Sequence, residues 1–489
     1  MPGRSGVVII IMVGLMLITY SCARVPSLPT DANVHLNLGN TYLAQGKYDD
    51  AIASYKRALD IDPNFAIAYH QLGIAYEKKG DYLSAIDCFK RAVAINPDFA
   101  LARNNLGRVY NYYGRYDEAI AEFKKVIALG KGFDEVYNNL GYAYYRKGDY
   151  PEAVNALLEA VRLKPDYAEA LNNLAITYYY QNRLEEALTS AQKAVALDPS
   201  LVTGYYHLGM TYYALGKIEE AVQELRRAVD LKSDYAEAHN LLGFAYYQIQ
   251  KYDDAIAAHL KAVALSPKLV EAFYNLGNCY QKKKMFDDAI SAYRKAIGLN
   301  PNFAEAYSGL GGAYIGKGWY PDAINVCRKA IEINPQLAEA HSNLGFAYYQ
   351  QKRLSEAIAE FLEALKIQPD YAEVHHRLGL AYFTQGKLEE AWRQYHKAIE
   401  LKPDFALSYY DLGNWHFHRY QYQEAAEAYE KAISLDPTLS LAHFNLALIY
   451  ERQGMKEKAI AGLEKYLELE PSGALIPEAK AHLKELRGY

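Results

Sequence analysis

One leucine returns every 34 residues along this chain, at Leu38, Leu72, Leu106, Leu140, Leu174, Leu208, Leu242, Leu276, Leu310, Leu344, Leu378, Leu412 and Leu446, with no insertion or deletion. An alanine keeps the same step, from Ala51 and Ala85 to Ala425 and Ala459. A fixed period of this size means stacked supersecondary units that touch only their neighbours, not one globular core. The 489 residues would ordinarily suggest about three domains, but the period replaces that expectation with one array over residues 32–473.

Each unit reads as two helices. Between Asp134 and Tyr167, residues Tyr137, Leu140, Gly141 and Tyr144 recur at three- and four-residue spacings, the stripe of an amphipathic helix. Gly148 is placed to end it in the left-handed conformation. A second stripe, Ala153, Leu157, Ala160 and Val161, runs into Pro165, which cannot continue a helix, and Asp166 is placed to cap the next one.

The small residue after the leucine, the tyrosine three further on (Tyr42, Tyr76, Tyr110, Tyr144 and their successors, with His416 the exception), the turn glycine and the closing proline together resemble the tetratricopeptide repeat family. The proline is replaced at Lys131 and Ser233. That resemblance implies an all-α, right-handed superhelical solenoid of thirteen helix-turn-helix units, with residues 474–489 as a C-terminal capping helix. It also implies a concave groove lined by the first helices. In the phrase NNLGYAYYRKG, Leu140, Gly141 and Tyr144 are then the packing half, and Asn138, Asn139, Tyr142 and Tyr145 the half expected to face the groove.

An asparagine precedes the leucine at Asn37, Asn105, Asn139, Asn173, Asn275, Asn343 and Asn445. The row resembles the asparagine ladder in the repeats of O-linked N-acetylglucosamine transferase, where the amides bind the backbone of an extended peptide; the resemblance does not extend to that enzyme's catalytic domain. An amide offers a donor and an acceptor together, matching a peptide bond. Gln71, His207, Leu241, Gly309, Arg377 and Asp411 interrupt the row. The expected groove residues are Asn105, Asn138, Asn139, Asn172, Asn173, Asn275 and Asn343 with Tyr142, Tyr145, Tyr179, Tyr206, Tyr213 and Tyr247. Relatives that grip a C-terminal carboxylate use a lysine two residues before the leucine. None stands there in this chain, so a carboxylate would meet little positive charge.

The N-terminal residues differ. Val7–Ile18 is an apolar run too short for a membrane span and of secretory type, followed by Ser21 and Cys22. Residues 1–21 resemble a bacterial lipoprotein signal peptide, which implies lipidation of Cys22 and a linker over 22–31; an uncleaved N-terminal anchor is the alternative. Ala23, in place of the aspartate tied to inner-membrane retention, implies the outer membrane, facing the periplasm. Cys88, Cys279 and Cys327 have no disulfide or metal spacing and read as packing residues.

A net charge of −5 with no long basic run disfavours a nucleic-acid partner. Walker, Rossmann, HExxH and GxSxG motifs are absent, and GLGGAYIGKG from Gly309 lies inside a helix with no strand before it. Neither an enzyme nor a cofactor is expected. His375, His376, His396, His416 and His418 crowd one region, but His416 and His418 diverge on a helix, so a metal site would need ligands from neighbouring helices. The row Glu135, Glu169, Glu237, Glu271, Glu305, Glu339 and Glu373 falls in first turns, where the helix dipole favours it; a ligand-facing acidic stripe is the other reading. Gly309, Gly311, Gly312 and Gly316 share one helix and predict a soft joint. The sequence therefore points to a membrane-anchored scaffold that binds protein segments for a cell-envelope assembly, with a carbohydrate-binding scaffold as the alternative.

Overall fold

The computed structural model describes residues 31–488, among which there are twenty-seven α-helices and no strand. The helices follow one another as helix-turn-helix pairs, so the architecture is all-α, as the period implies. The apolar run Val7–Ile18 and Cys22 lie outside the described residues. Among those described, no helix is long and apolar enough to cross a membrane.

Each turn is set by local chemistry. Asp134–Lys147 ends at Gly148, whose φ of 91° leaves the helix and lets the next begin at Tyr150. Where other repeats lack a glycine at this turn, Asn182, Gln250, Lys284, Lys352 and Tyr420 take the left-handed conformation instead, each at a cost of about 1 kcal/mol. The second helix stops at Leu163, with the Lys164 amide donating to the Ala160 carbonyl before Pro165.

The chain divides into two compact units at His207 and Leu208. In the first, three buried clusters follow one another: Leu36 with Tyr55 and Leu72, then Phe89 with Leu106, Phe123 and Leu140, then Leu157 with Leu174. In the second, a long cluster runs from Ala289 through Leu310, Leu344 and Phe361 to Ala381, and smaller ones follow. Its last helix, Ile476–Arg487, lays Ala479 and Leu483 against Phe444, Leu463 and Tyr466.

The small residue after each leucine has a specific use. A Cβ on Gly107 would stand 2.7 Å from the Phe123 ring, and one on Gly141 2.5 Å from Leu157. In the second unit Gly345 receives Phe361 and Gly277 receives Tyr293 in the same way. A large side chain from the middle of the second helix thus enters the gap in the first, and it is almost wholly buried there. In three repeats a tyrosine in this role finds a partner for its hydroxyl. Tyr55 donates to Asn40, Tyr293 to Asn278 and Tyr429 to Asn414, in each case the residue after the glycine.

The expected soft joint meets a contrary finding. Ala304–Gly316 is a regular helix, and each gap left by its glycines is filled: Gly309 by Tyr293, Gly311 by Cys327, Gly312 by Gln281 and Gly316 by Phe286. Close approach of neighbouring side chains offsets the intrinsic weakness of glycine in a helix. A Gly309→Ala substitution, which on propensity alone should stiffen this helix, is therefore expected to destabilise the second unit by about 1–3 kcal/mol. A lowered urea midpoint checks it.

Candidate binding face on the first helices

Adjacent first helices are joined by side chains at one register. The residue before the leucine in one repeat bonds the residue two before the leucine in the preceding repeat. In the first unit, Asn139 Nδ2 donates to Asn104 Oδ1 at 3.4 Å, Asn173 to Asn138 at 2.9 Å, Asn105 Nδ2 meets His70 Nε2 at 3.0 Å and His207 Nδ1 meets Asn172 Oδ1 at 2.8 Å. The second unit repeats the pattern: Asn275 to Asn240, Asn343 to the Ser308 carbonyl, Arg377 to Ser342, and His376 with Asp411. The interruptions in the asparagine row, His207, Arg377 and Asp411, therefore belong to the same inter-repeat ladder.

This placement corrects part of the expected groove. Asn138 and Asn172 are buried under the next first helix rather than presented outward, as is Asn104, and Asn343 is buried as well. Asn138 also meets the Tyr167 hydroxyl, and Asn172 donates to Thr203. Asn105, Asn139, Asn173 and Asn275 are half-buried and spend an amide N–H on the ladder. The amide oxygens of Asn139 and Asn173 accept no bond from any described side chain or backbone group, and so remain for a ligand.

The six expected tyrosines are half-buried. Tyr145 lies 6.4 Å from Tyr142 and 5.8 Å from Tyr180, which stacks on Tyr150 and meets Tyr179 edge-on. Burial, reinforced by the neighbouring Tyr180 hydroxyl, pushes the Tyr145 phenol well above its usual value. Tyr206 packs on His207. In the second unit, Tyr213 packs on Phe244 and Tyr247 on Tyr252, with burial pushing the Tyr247 hydroxyl up to about 12.

Asn139 and Tyr142 do converge, with residues that sequence reasoning missed. A hollow of about 410 Å³ is lined by Arg108, Asn111, Tyr112, Tyr116, Asn139, Tyr142 and Arg146. Arg108 stands two residues after its leucine, the register of Tyr142, and Arg146 six after; that shared register was the available signal. Positive charge is thus present on this face, at positions other than the lysine site expected of carboxylate-binding relatives. The second unit has a hollow at the same register, about 510 Å³, where Asn414 and Asn445 stand among Phe383, Phe417, His418, Tyr420, Tyr429 and Leu448, with no arginine. A larger depression along Asp287–Leu299 belongs to the surface of one second helix, where groups do not converge.

The seven glutamates from Glu135 to Glu373 all lie in first turns; Glu373 pairs with Lys402, and burial pushes the Glu339 carboxyl up, partly offset by Arg377 and Lys282. His375 bonds Gln394 and His416 bonds Gln421. Among the described residues no three His, Cys, Asp or Glu side chains gather as a metal site. Cys88, Cys279 and Cys327 are buried thiols, the first two pushed up to about 12 by burial.

The described TPR repeat model matches residues 39–80, 209–250, 245–284, 313–352, 347–386, 379–419 and 416–454, and tetratricopeptide repeat models match 64–132, 138–201, 270–303 and 441–472. No curated protein matches the chain. Similar solved structures include the APC/C hetero-tetramer Cut9-Hcn1, at 15% identity over 93% of this chain and 96% of that one, with a TM-score of 0.47. Yeast Tom70 is similar at 16% identity over 76% and 92%, TM-score 0.37, and MamA at 32% over 34% and 97%, TM-score 0.32. Proteins built of these repeats are generally non-catalytic scaffolds that bind protein or peptide partners. With the 34-residue period, the hairpins and the repeat models all in agreement, the chain belongs to the tetratricopeptide repeat family.

Proposed function

We propose that this chain is a lipid-anchored scaffold of a bacterial cell envelope that holds extended protein segments across its first helices, for assembly of an envelope complex. One observation carries the segment-binding part: in the first unit, half-buried Tyr142, Tyr145 and Tyr179 and the outward amide oxygens of Asn139 and Asn173 recur along consecutive first helices. A backbone crossing these two repeats meets an acceptor and a ring at each one. The amides take its N–H groups with little regard to side chain, and the tyrosines add contact area at low entropic cost. A sugar ligand would instead use ring faces, but Tyr82 and Tyr112 stack on each other at 4.3 Å and Tyr150 on Tyr180 at 5.8 Å. The anchor, and with it an outer-membrane site facing the periplasm, is supported by Ser21, Cys22, Ala23 and the apolar run alone.

A photo-crosslinking phenylalanine analogue at Tyr142 or Tyr179 is expected to yield protein adducts from envelope extracts, while the same group at Leu158, exposed on a second helix, yields few. Adducts only from position 158, or only to saccharide, would overturn the reading. Cys22→Ala should release the protein from the membrane fraction or leave it unprocessed; unchanged lipid labelling would refute the anchor.

A further inference from the structure

We propose that the hollow around Arg146 is a pocket for an acidic side chain, aspartate or glutamate, of the bound segment. This deepens the segment-binding reading and rests on it. Arg146 pairs with no carboxylate among the described residues. Its Nη1 donates to the Tyr142 hydroxyl at 2.6 Å, and the guanidinium lies over the Tyr116 and Tyr142 rings, 5.4 and 5.6 Å from their centroids. Two rings and a hydroxyl hold the group in place while its other N–H groups meet no described acceptor. A planar fork fixed in this way matches a carboxylate with little left to order on binding.

The other walls support the same occupant. Arg108 also lines the hollow, 2.9 Å from Glu77, so two guanidinium groups face one carboxylate and the balance is positive. Asn111 is more than nine-tenths buried; its Nδ2 donates to the Asn139 carbonyl at 3.0 Å, which leaves Oδ1 buried without a partner. A buried acceptor without a donor is costly, and a ligand N–H would satisfy it. An acidic residue in an extended chain carries both complements together, a backbone N–H for Asn111 and a carboxylate for Arg146. A bare inorganic anion supplies only one of them. No equivalent arginine lines the aromatic hollow of the second unit, so the acidic preference belongs to the first unit.

The test uses the full-length chain and three probes: a Gly-Ser peptide with a central Asp-Glu pair, the same peptide with Asn-Gln, and a galacturonate oligomer. The acidic peptide should bind about tenfold tighter than the amide peptide, the scale of one charge-assisted contact, and the difference should shrink in salt. Arg146→Gln should abolish the preference, bringing the acidic peptide to the affinity of the amide peptide, while leaving helicity unchanged. Arg146→Lys should restore part of it, because an ammonium lacks the fork. Equal binding of the two peptides, unaltered by Arg146→Gln, would overturn the acidic pocket and leave the segment-binding reading standing. Failure of both peptides, whether or not the galacturonate oligomer binds, would overturn both.

Discussion

Lowering the pH from about 6.5 to about 4 should cost each unit stability through a buried histidine, by about 1.4 kcal/mol per pH unit and about 3 kcal/mol in all per residue. Burial brings His70 in the first unit and His259 in the second down from the ordinary 6.5 to about 4. The folded chain keeps both rings neutral through this window while the unfolded chain binds a proton at each. Their full contribution is therefore present above pH 6.5 and is lost progressively as the pH falls to 4. The geometry explains the resistance to protonation. His70 Nε2 accepts from the Asn105 amide, a bond that protonation would break. His259 Nδ1 bonds Asn240, and its buried Nε2 has no partner to receive a charge. Melting temperatures taken in steps between about pH 6.5 and 5 follow the first part of this loss. A flat profile there would refute the assignment. His259→Leu, the residue type found in this role at Leu157 and Leu225, should flatten the dependence of the second unit.

Truncating Phe361 should cost about 3–5 kcal/mol, the range for a large ring removed from a closed core. Phe361 is fully buried, and it fills the gap at Gly345 that a Cβ would occupy. No small shift can refill that space, because the leucine and alanine stripes on either side are already packed. Phe361→Ala should lower the urea midpoint of the second unit accordingly; a loss under about 1 kcal/mol would show that the hairpin collapses onto the void.

The hairpins, their turns and their packing stripes were legible in the residues, because each is a local consequence of spacing. Leu140, Gly141 and Tyr144 share a face through helical periodicity, Gly148 ends the helix through its freedom at positive φ, and thirteen repetitions leave one architecture. The binding face was legible only in part. Periodicity places Asn138 and Asn139 on adjoining strips of one helix, but the offset of the next helix decides which of them it covers. In the structure it covers Asn138, Asn172 and Asn104 and turns the asparagine row into a ladder between repeats. The glycines of Ala304–Gly316 show the same division. Propensity alone reads them as weakness, whereas the side chains of Tyr293, Gln281, Phe286 and Cys327 make them docking points. Arg146 and Asn111 lie thirty-five residues apart in sequence and face one hollow only because successive first helices stack side by side. A repeat thus determines by itself what each unit is and which residues pack within it; what the shared face offers a ligand depends on distances between units, which tertiary packing alone sets.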